Sequence, residues 1–250
     1  MLNPLAAPLI TLLTALSLMP LGACSDETFT EPESPPPLVE VQPSEEPLDY
    51  GVPLPKNDPV DDGWFSNTAF IGHSLIYGFS EHGGLSGADY YYLAGSSVRT
   101  LMSSDQVNLA DKSKGTLVSG LENKTYERVY LMMGINEIAG QRSQMKADYV
   151  KLIDLVRTYN PDAEIYIMAV IPVSYAKSSA GTFTLDRILA YNEIRLEIGV
   201  EQECWYVDTY SCFANEDGYL PAAAASDGIH LKSEQYKIML EYLRTHTSSN

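Results

Sequence analysis

Near the end of the chain stands Ser226-Asp227-Gly228-Ile229-His230-Leu231, with an Asp and a His three residues apart. On one loop such a pair can point into one cleft, and the carboxylate can bond the imidazole and fix its tautomer. An imidazole held that way is a base in search of a proton to take. The candidate donor is Ser74, which follows the apolar Phe70-Ile71 and the pair Gly72-His73. A Ser just past a strand can sit in a tight turn with its hydroxyl exposed and its amide free, although the same position is also where a helix cap stands. Acyl transfer further needs donors for the oxyanion. Gly95 in Leu93-Ala94-Gly95-Ser96-Ser97 lets the backbone approach a ligand closely, and Asn136 in Met133-Gly134-Ile135-Asn136-Glu137 puts an amide donor at the same rim. Each piece alone is common, and an Asp-x-x-His spacing arises by chance in many chains.

Their order along the elements is what gives them weight. Five strand-like runs are expected at 68–71, 88–94, 128–133, 164–171 and 205–208, rich in β-branched and aromatic residues. The fourth is almost continuously apolar, as a strand covered on both faces should be. Helices are expected at 146–159, with Tyr149, Leu152, Ile153, Val156 and Tyr159 in one stripe, at 185–200, with Leu185, Ile188, Leu189, Asn192 and Leu196, and at 233–243, with Tyr236, Met239, Leu240 and Leu243 inward and Ser233 as cap. Strands alternating with helices imply parallel pairing through right-handed crossovers, hence one three-layer α/β domain. Ser74, Gly95 and Asn136 then fall at the C-terminal ends of the first three strands, and the Asp-His pair just before the last helix, on the edge where open α/β sheets form their sites.

In this order of blocks the chain resembles the SGNH (GDSL-type) hydrolases, over roughly residues 64 to 245 and most closely at Phe70 to Ser74 and Asp227 to Leu231. The resemblance implies a flavodoxin-like, five-stranded parallel sheet of order 2-1-3-4-5. It implies Ser74 as nucleophile, His230 as general base and acid, and Asp227 to orient the imidazole. The backbone amides of Ser74 and Gly95 and the side chain of Asn136 would form the oxyanion hole. It calls for no cofactor and no metal. The chain departs from the family pattern where Gly-Asp-Ser is usual and Gly72-His73-Ser74 stands, and has Glu137 where Asp is common. His73 is expected to pack or solvate away from the cleft rather than to serve as a base or ligand.

The N-terminal part is of another kind. Residues 1–24 carry no charged side chain and contain a short apolar core, Leu9 to Met19, of secretory rather than membrane-spanning length. Leu21-Gly22-Ala23-Cys24 resembles the lipobox of bacterial lipoproteins, which implies a signal peptide over 1–23 and lipid attachment at Cys24. No Lys or Arg precedes the apolar core, a departure from the usual signal. Residues 24–62 read as a Pro-rich, acidic, disordered tether, with Lys56 as their only basic residue. The catalytic domain is then expected over 63–250, extracytoplasmic and lipid-anchored to the bacterial cell membrane.

The net charge is −17, of which −7 falls on residues 63–250. So acidic a chain gains nothing from counterion release, which argues against nucleic acid, and it leans toward neutral substrates. Cys204 and Cys212 are read as small, unbridged side chains, and the protein as a monomer touching membrane only through its lipid. Some of Tyr77, Tyr90, Tyr91, Tyr92, Tyr175 and Tyr219 are candidates for lining a sugar or acyl site, though most suit a core. The expected activity is hydrolysis of small-acyl carboxylic esters, with O-acetyl groups on glycans as one candidate substrate. An O-acyltransferase on the same scaffold, or a non-catalytic surface glycan-binding module, are the alternatives.

Overall fold

A computed structural model describes residues 49–248, which lie within one compact unit spanning Glu46–Asn250. The signal segment, Cys24 and the tether as far as residue 48 fall outside the described residues.

The chain runs β1 (Thr68–Gly72), α1 (Ser74–His82), β2 (Asp89–Tyr92), α2 (Val98–Ser103), β3 (Val107–Asn108), β4 (Lys114–Gly115), α3 (Leu117–Leu121), β5 (Arg128–Met132), α4 (Arg142–Tyr159), β6 (Glu164–Met168), α5 (Tyr175–Ser179), α6 (Leu185–Glu201), β7 (Trp205–Val207), α7 (Thr209–Phe213) and α8 (Ser233–Thr245). The five longer strands are parallel in the order β2-β1-β5-β6-β7, which is the expected 2-1-3-4-5 arrangement. Two strands of two residues each, β3 and β4, add an antiparallel edge beyond β2. They escape sequence reading because two residues have no period.

β1 is buried along its whole length and shows why the sheet needs two covers. Ala69 and Ile71 enter a core under α4 and α6, whereas Phe70 enters a second core under α1 and α8. That is the alternation of successive side chains across a strand. In the second core Phe70 stacks on Tyr130, and Tyr130 on Tyr166, with centroids 4.9 and 4.3 Å apart.

Three expectations need correction. The domain does not start at residue 63. Pro53 bridges to Tyr206 on the edge strand β7, Leu54 is buried and donates to the Tyr206 carbonyl at 2.9 Å, and the Asn57 and Val60 amides donate to Thr245 and Arg244 at 2.7 and 2.9 Å. Proline is tolerated on a sheet edge because its missing amide costs no ladder bond there. Second, α8 takes Lys232 as its N-cap without a side-chain bond, and Ser233 is the first helical residue. Third, Leu189 is exposed on α6, and its place in the buried stripe is taken by Tyr191 and Arg195. Cys204 is buried, Cys212 is half-buried, and both are free thiols. His82 is exposed, and His246 is half-buried, stacked on Tyr242 with centroids 3.7 Å apart.

Candidate active site

Neighbouring strands β1 and β5 send their following helices to opposite faces of the sheet, α1 to one and α4 to the other. The crevice between them is the switch point where α/β folds place ligands. Ser74 opens α1 at the end of β1. Its amide has no acceptor among the described residues, as expected at the first turn of a helix. Ser74 Oγ lies 2.9 Å from His230 Nε2, and His230 Nδ1 lies 2.7 Å from Asp227 Oδ2. The second Asp227 oxygen accepts the backbone N–H groups of Ile229 and His230 at 3.0 and 2.8 Å, so the carboxylate is gripped by its own loop. Burial would raise the Asp227 pKa, but the backbone and ring N–H donors of His230, the Ile229 amide and the imidazole charge outweigh it and hold the carboxyl well below its usual range. With the anion on the Nδ1 side, the imidazole carries its proton there and leaves Nε2 as an acceptor facing Ser74.

The expected donors converge on the same rim. Gly95 has φ +74°, a conformation that a side chain would strain, and its amide has no acceptor among the described residues. Asn136 is exposed and gives one amide hydrogen to the Ser96 carbonyl at 2.9 Å, which leaves the second for a ligand. This bond ties the loop after β5 to the loop after β2. Glu137 reinforces it, since its carboxylate accepts the Val98 amide at 3.3 Å and its carbonyl accepts the Tyr191 hydroxyl at 2.7 Å. Burial raises the Glu137 pKa, partly offset by the Val98 amide and by Arg195.

Arg195 is the feature that sequence reasoning missed. It is fully buried, donates to the carbonyls of Met133 and Tyr191, and lies 5.3 Å from the Tyr149 ring centroid. A Cβ at Gly134 would stand 1.7 Å from its guanidinium, and Gly134 has φ +114°. The turn that presents Asn136 is therefore moulded over a buried cation, and only glycine fits between them. The signal was in the sequence: Ile188, Tyr191, Asn192, Arg195, Ile198 and Gly199 keep helical spacing, and all six are buried.

His73 packs inward, with 1% of its surface exposed, and caps α1 by accepting the Leu75 amide at Nδ1, 3.4 Å away. Burial, with Arg195 and His230 adding repulsion, lowers its pKa to about 3. A base that is neutral when folded and protonated when unfolded makes the unfolded chain bind the extra proton. Stability should therefore fall as pH drops from 6.5 toward 3, by up to about 1.4 kcal/mol per pH unit. His246, also lowered by burial, acts in the same direction. The diagnostic is the variant: His73→Asn keeps a capping oxygen, and its urea midpoint should change less between pH 6.5 and 4 than that of the wild type. Equal slopes would show that His73 does not titrate on unfolding.

The sequence model of the GDSL-like lipase/acylhydrolase family matches residues 70–238. The chain belongs to that family. It is thereby a carboxylic-ester hydrolase of the SGNH group, and the matched span runs from β1 into α8 and contains Ser74, Gly95, Asn136, Asp227 and His230. A GDSL-like lipase from Bacteroides thetaiotaomicron has the same fold, with a TM-score of 0.55 at 14% identity over 74% of this chain and 88% of that one. So does an acetyl-xylooligosaccharide esterase from Geobacillus stearothermophilus, in a single-mutant form, with a TM-score of 0.51 at 16% identity over 72% and 92%. No curated protein matches the sequence significantly. Within this family pattern the unusual His73 leaves the Ser-His-Asp geometry closed.

Proposed function

We propose that the protein is a serine esterase that removes small acyl groups, with O-acetyl groups on neutral glycans as substrate, from a lipid-anchored position outside the cytoplasm. The observation that carries the chemistry is the unbroken relay Asp227–His230–Ser74, with links of 2.7 and 2.9 Å. Ser74 Oγ attacks the ester carbonyl as His230 Nε2 takes its proton. The oxyanion meets the amides of Ser74 and Gly95 and the free Asn136 amide hydrogen. His230 then returns the proton to the leaving alkoxide, and water repeats the sequence on the acyl-enzyme. The triad loop is open, with the side chains of His230 and Asp227 46% and 50% exposed, so water reaches the acyl-enzyme. This favours hydrolysis over transfer.

The acidic balance of the domain favours an uncharged substrate, and the acetyl-xylooligosaccharide esterase that shares the fold makes acetylated oligosaccharides the first class to try. Anchoring rests on the Cys24 sequence motif. Among the described residues no helix is long and apolar enough to cross a membrane. The test has two arms. Purified protein should release acetate from acetylated oligosaccharides and cleave p-nitrophenyl acetate faster than longer acyl esters. Mass spectrometry of the mature protein should find a diacylglycerol on Cys24. No turnover of either substrate removes the esterase reading, and an unprocessed N-terminus removes the anchor.

A further inference from the structure

Beside the triad loop lies a recess of about 660 Å³ whose walls come from the start of α5 and from the turn between α7 and the Asp227 loop. We propose that this recess is the subsite for the alcohol side of the substrate, and that it takes a sugar ring of a neutral oligosaccharide against Tyr175 and Tyr219. The inference rests on the glycan-esterase reading and gives it a location.

Continuity with the active site is the first support. A second recess shares Ser174, Ala176 and Ala222 with the first and extends to Asp227 and Gly228. The Ser174 amide donates to the Gly228 carbonyl at 2.9 Å and the Leu220 amide to the Val173 carbonyl at 3.0 Å. The α5 wall is thus braced against the loop that carries Asp227 and His230, and the Tyr219 wall against the α5 side, so that a ligand in the recess is held in register with the triad.

The lining chemistry is the second support. Tyr175 is 67% exposed, the highest value of any large hydrophobic residue in the described structure. Its ring meets Tyr219 edge-on, with centroids 5.2 Å apart and planes at 87°. The two make a right-angled aromatic corner, and each phenol adds a polar tip. An exposed aromatic corner suits a partner with an apolar face. At the same corner Asp217 makes no hydrogen bond or ion pair among the described residues, and Asn215, whose side-chain oxygen accepts the Tyr219 amide at 2.8 Å, keeps its amide hydrogens free. A ligand that suits this place offers C–H faces to the rings and hydroxyls to a carboxylate and an amide, which describes a pyranose. The volume lies within the roughly 300–1,000 Å³ typical of small-ligand sites. Charge selects further, because Asp217 would repel a uronic acid or a sulfated sugar. Lys177, on the side nearer Asp227, has its ammonium 5.3 Å from the Phe183 ring centroid.

The experiment compares Tyr175→Ala and Tyr175→Phe with the wild type on two substrates, acetylated xylo-oligosaccharides and p-nitrophenyl acetate. The Ala variant should lose about tenfold more kcat/KM on the oligosaccharide than on the aryl ester, mostly through KM, a difference of about 1.4 kcal/mol in binding. The Phe variant should recover most of that loss, since it restores the ring face. Equal losses on both substrates in the Ala variant would overturn the subsite while leaving the glycan reading intact. A wild type that cleaves the aryl ester but not the oligosaccharide would overturn both.

Discussion

Ser74→Ala should lose at least about 10⁴-fold in kcat/KM on p-nitrophenyl acetate while the fold stays as stable as before. The chemistry of the loss is direct, since Ser74 Oγ is the hydroxyl 2.9 Å from the His230 acceptor nitrogen, and among the described residues no other side chain bonds that nitrogen. The fold is spared because Ser74 is half-exposed and the cap of α1 is the His73 side chain, not the Ser hydroxyl. Alanine also suits a helix. His230→Ala should fall as far, and the double variant no further, because members of a relay act as one unit. The measurements are initial rates and urea midpoints for the three proteins. Activity above about 10% of wild type in either single variant would remove that residue from the mechanism, given how completely triad losses usually act.

Asp227→Asn should cost about 10⁴-fold in kcat, close to the effect of removing the base. One Asp227 oxygen is committed to two backbone donors and the other to the His230 ring, so an amide has no comfortable orientation. If its oxygen keeps the backbone donors, its NH₂ faces Nδ1 and drives the imidazole proton to Nε2, where it can no longer accept from Ser74. If it flips, its NH₂ opposes the amides of Ile229 and His230. Either way the base is in the wrong tautomer or the loop is loosened. Rates on p-nitrophenyl acetate decide it, with circular dichroism to confirm folding. An Asn variant within tenfold of the wild type would mean that the carboxylate does no more than brace its loop.

The sequence made the candidate site residues legible because they stand at element ends, where spacing survives without knowledge of the third dimension. Ser74, Gly95, Asn136, Asp227 and His230 each stand at a strand end or a turn, the parallel pairing of the five strands follows from the alternation of elements, and their order from the family resemblance. What stayed hidden depends on contacts between distant segments. Residues 53–60 read as tether because their prolines and acids say nothing of the β7 edge that receives them. Arg195 drew no reading from the sequence because a buried guanidinium is made tolerable only by the Met133 and Tyr191 carbonyls and the Tyr149 ring, which come together in the fold. The Tyr175–Tyr219 corner joins residues separated by two helices and a strand, and neither position is distinctive alone.

Both ends of the described chain lie on the floor of the sheet. Tyr50 packs on Trp205 at the start of β7, with centroids 4.3 Å apart, the Asn57 side chain donates to the Thr247 carbonyl at 3.0 Å, and Ser248 bonds Glu164 at the start of β6. The triad stands at the opposite edge, where the strands finish. A fusion or a tag joined at residue 49 or residue 248 would therefore leave from the side of the sheet away from the triad, and polymers too large for a hemmed-in cleft would still reach Ser74.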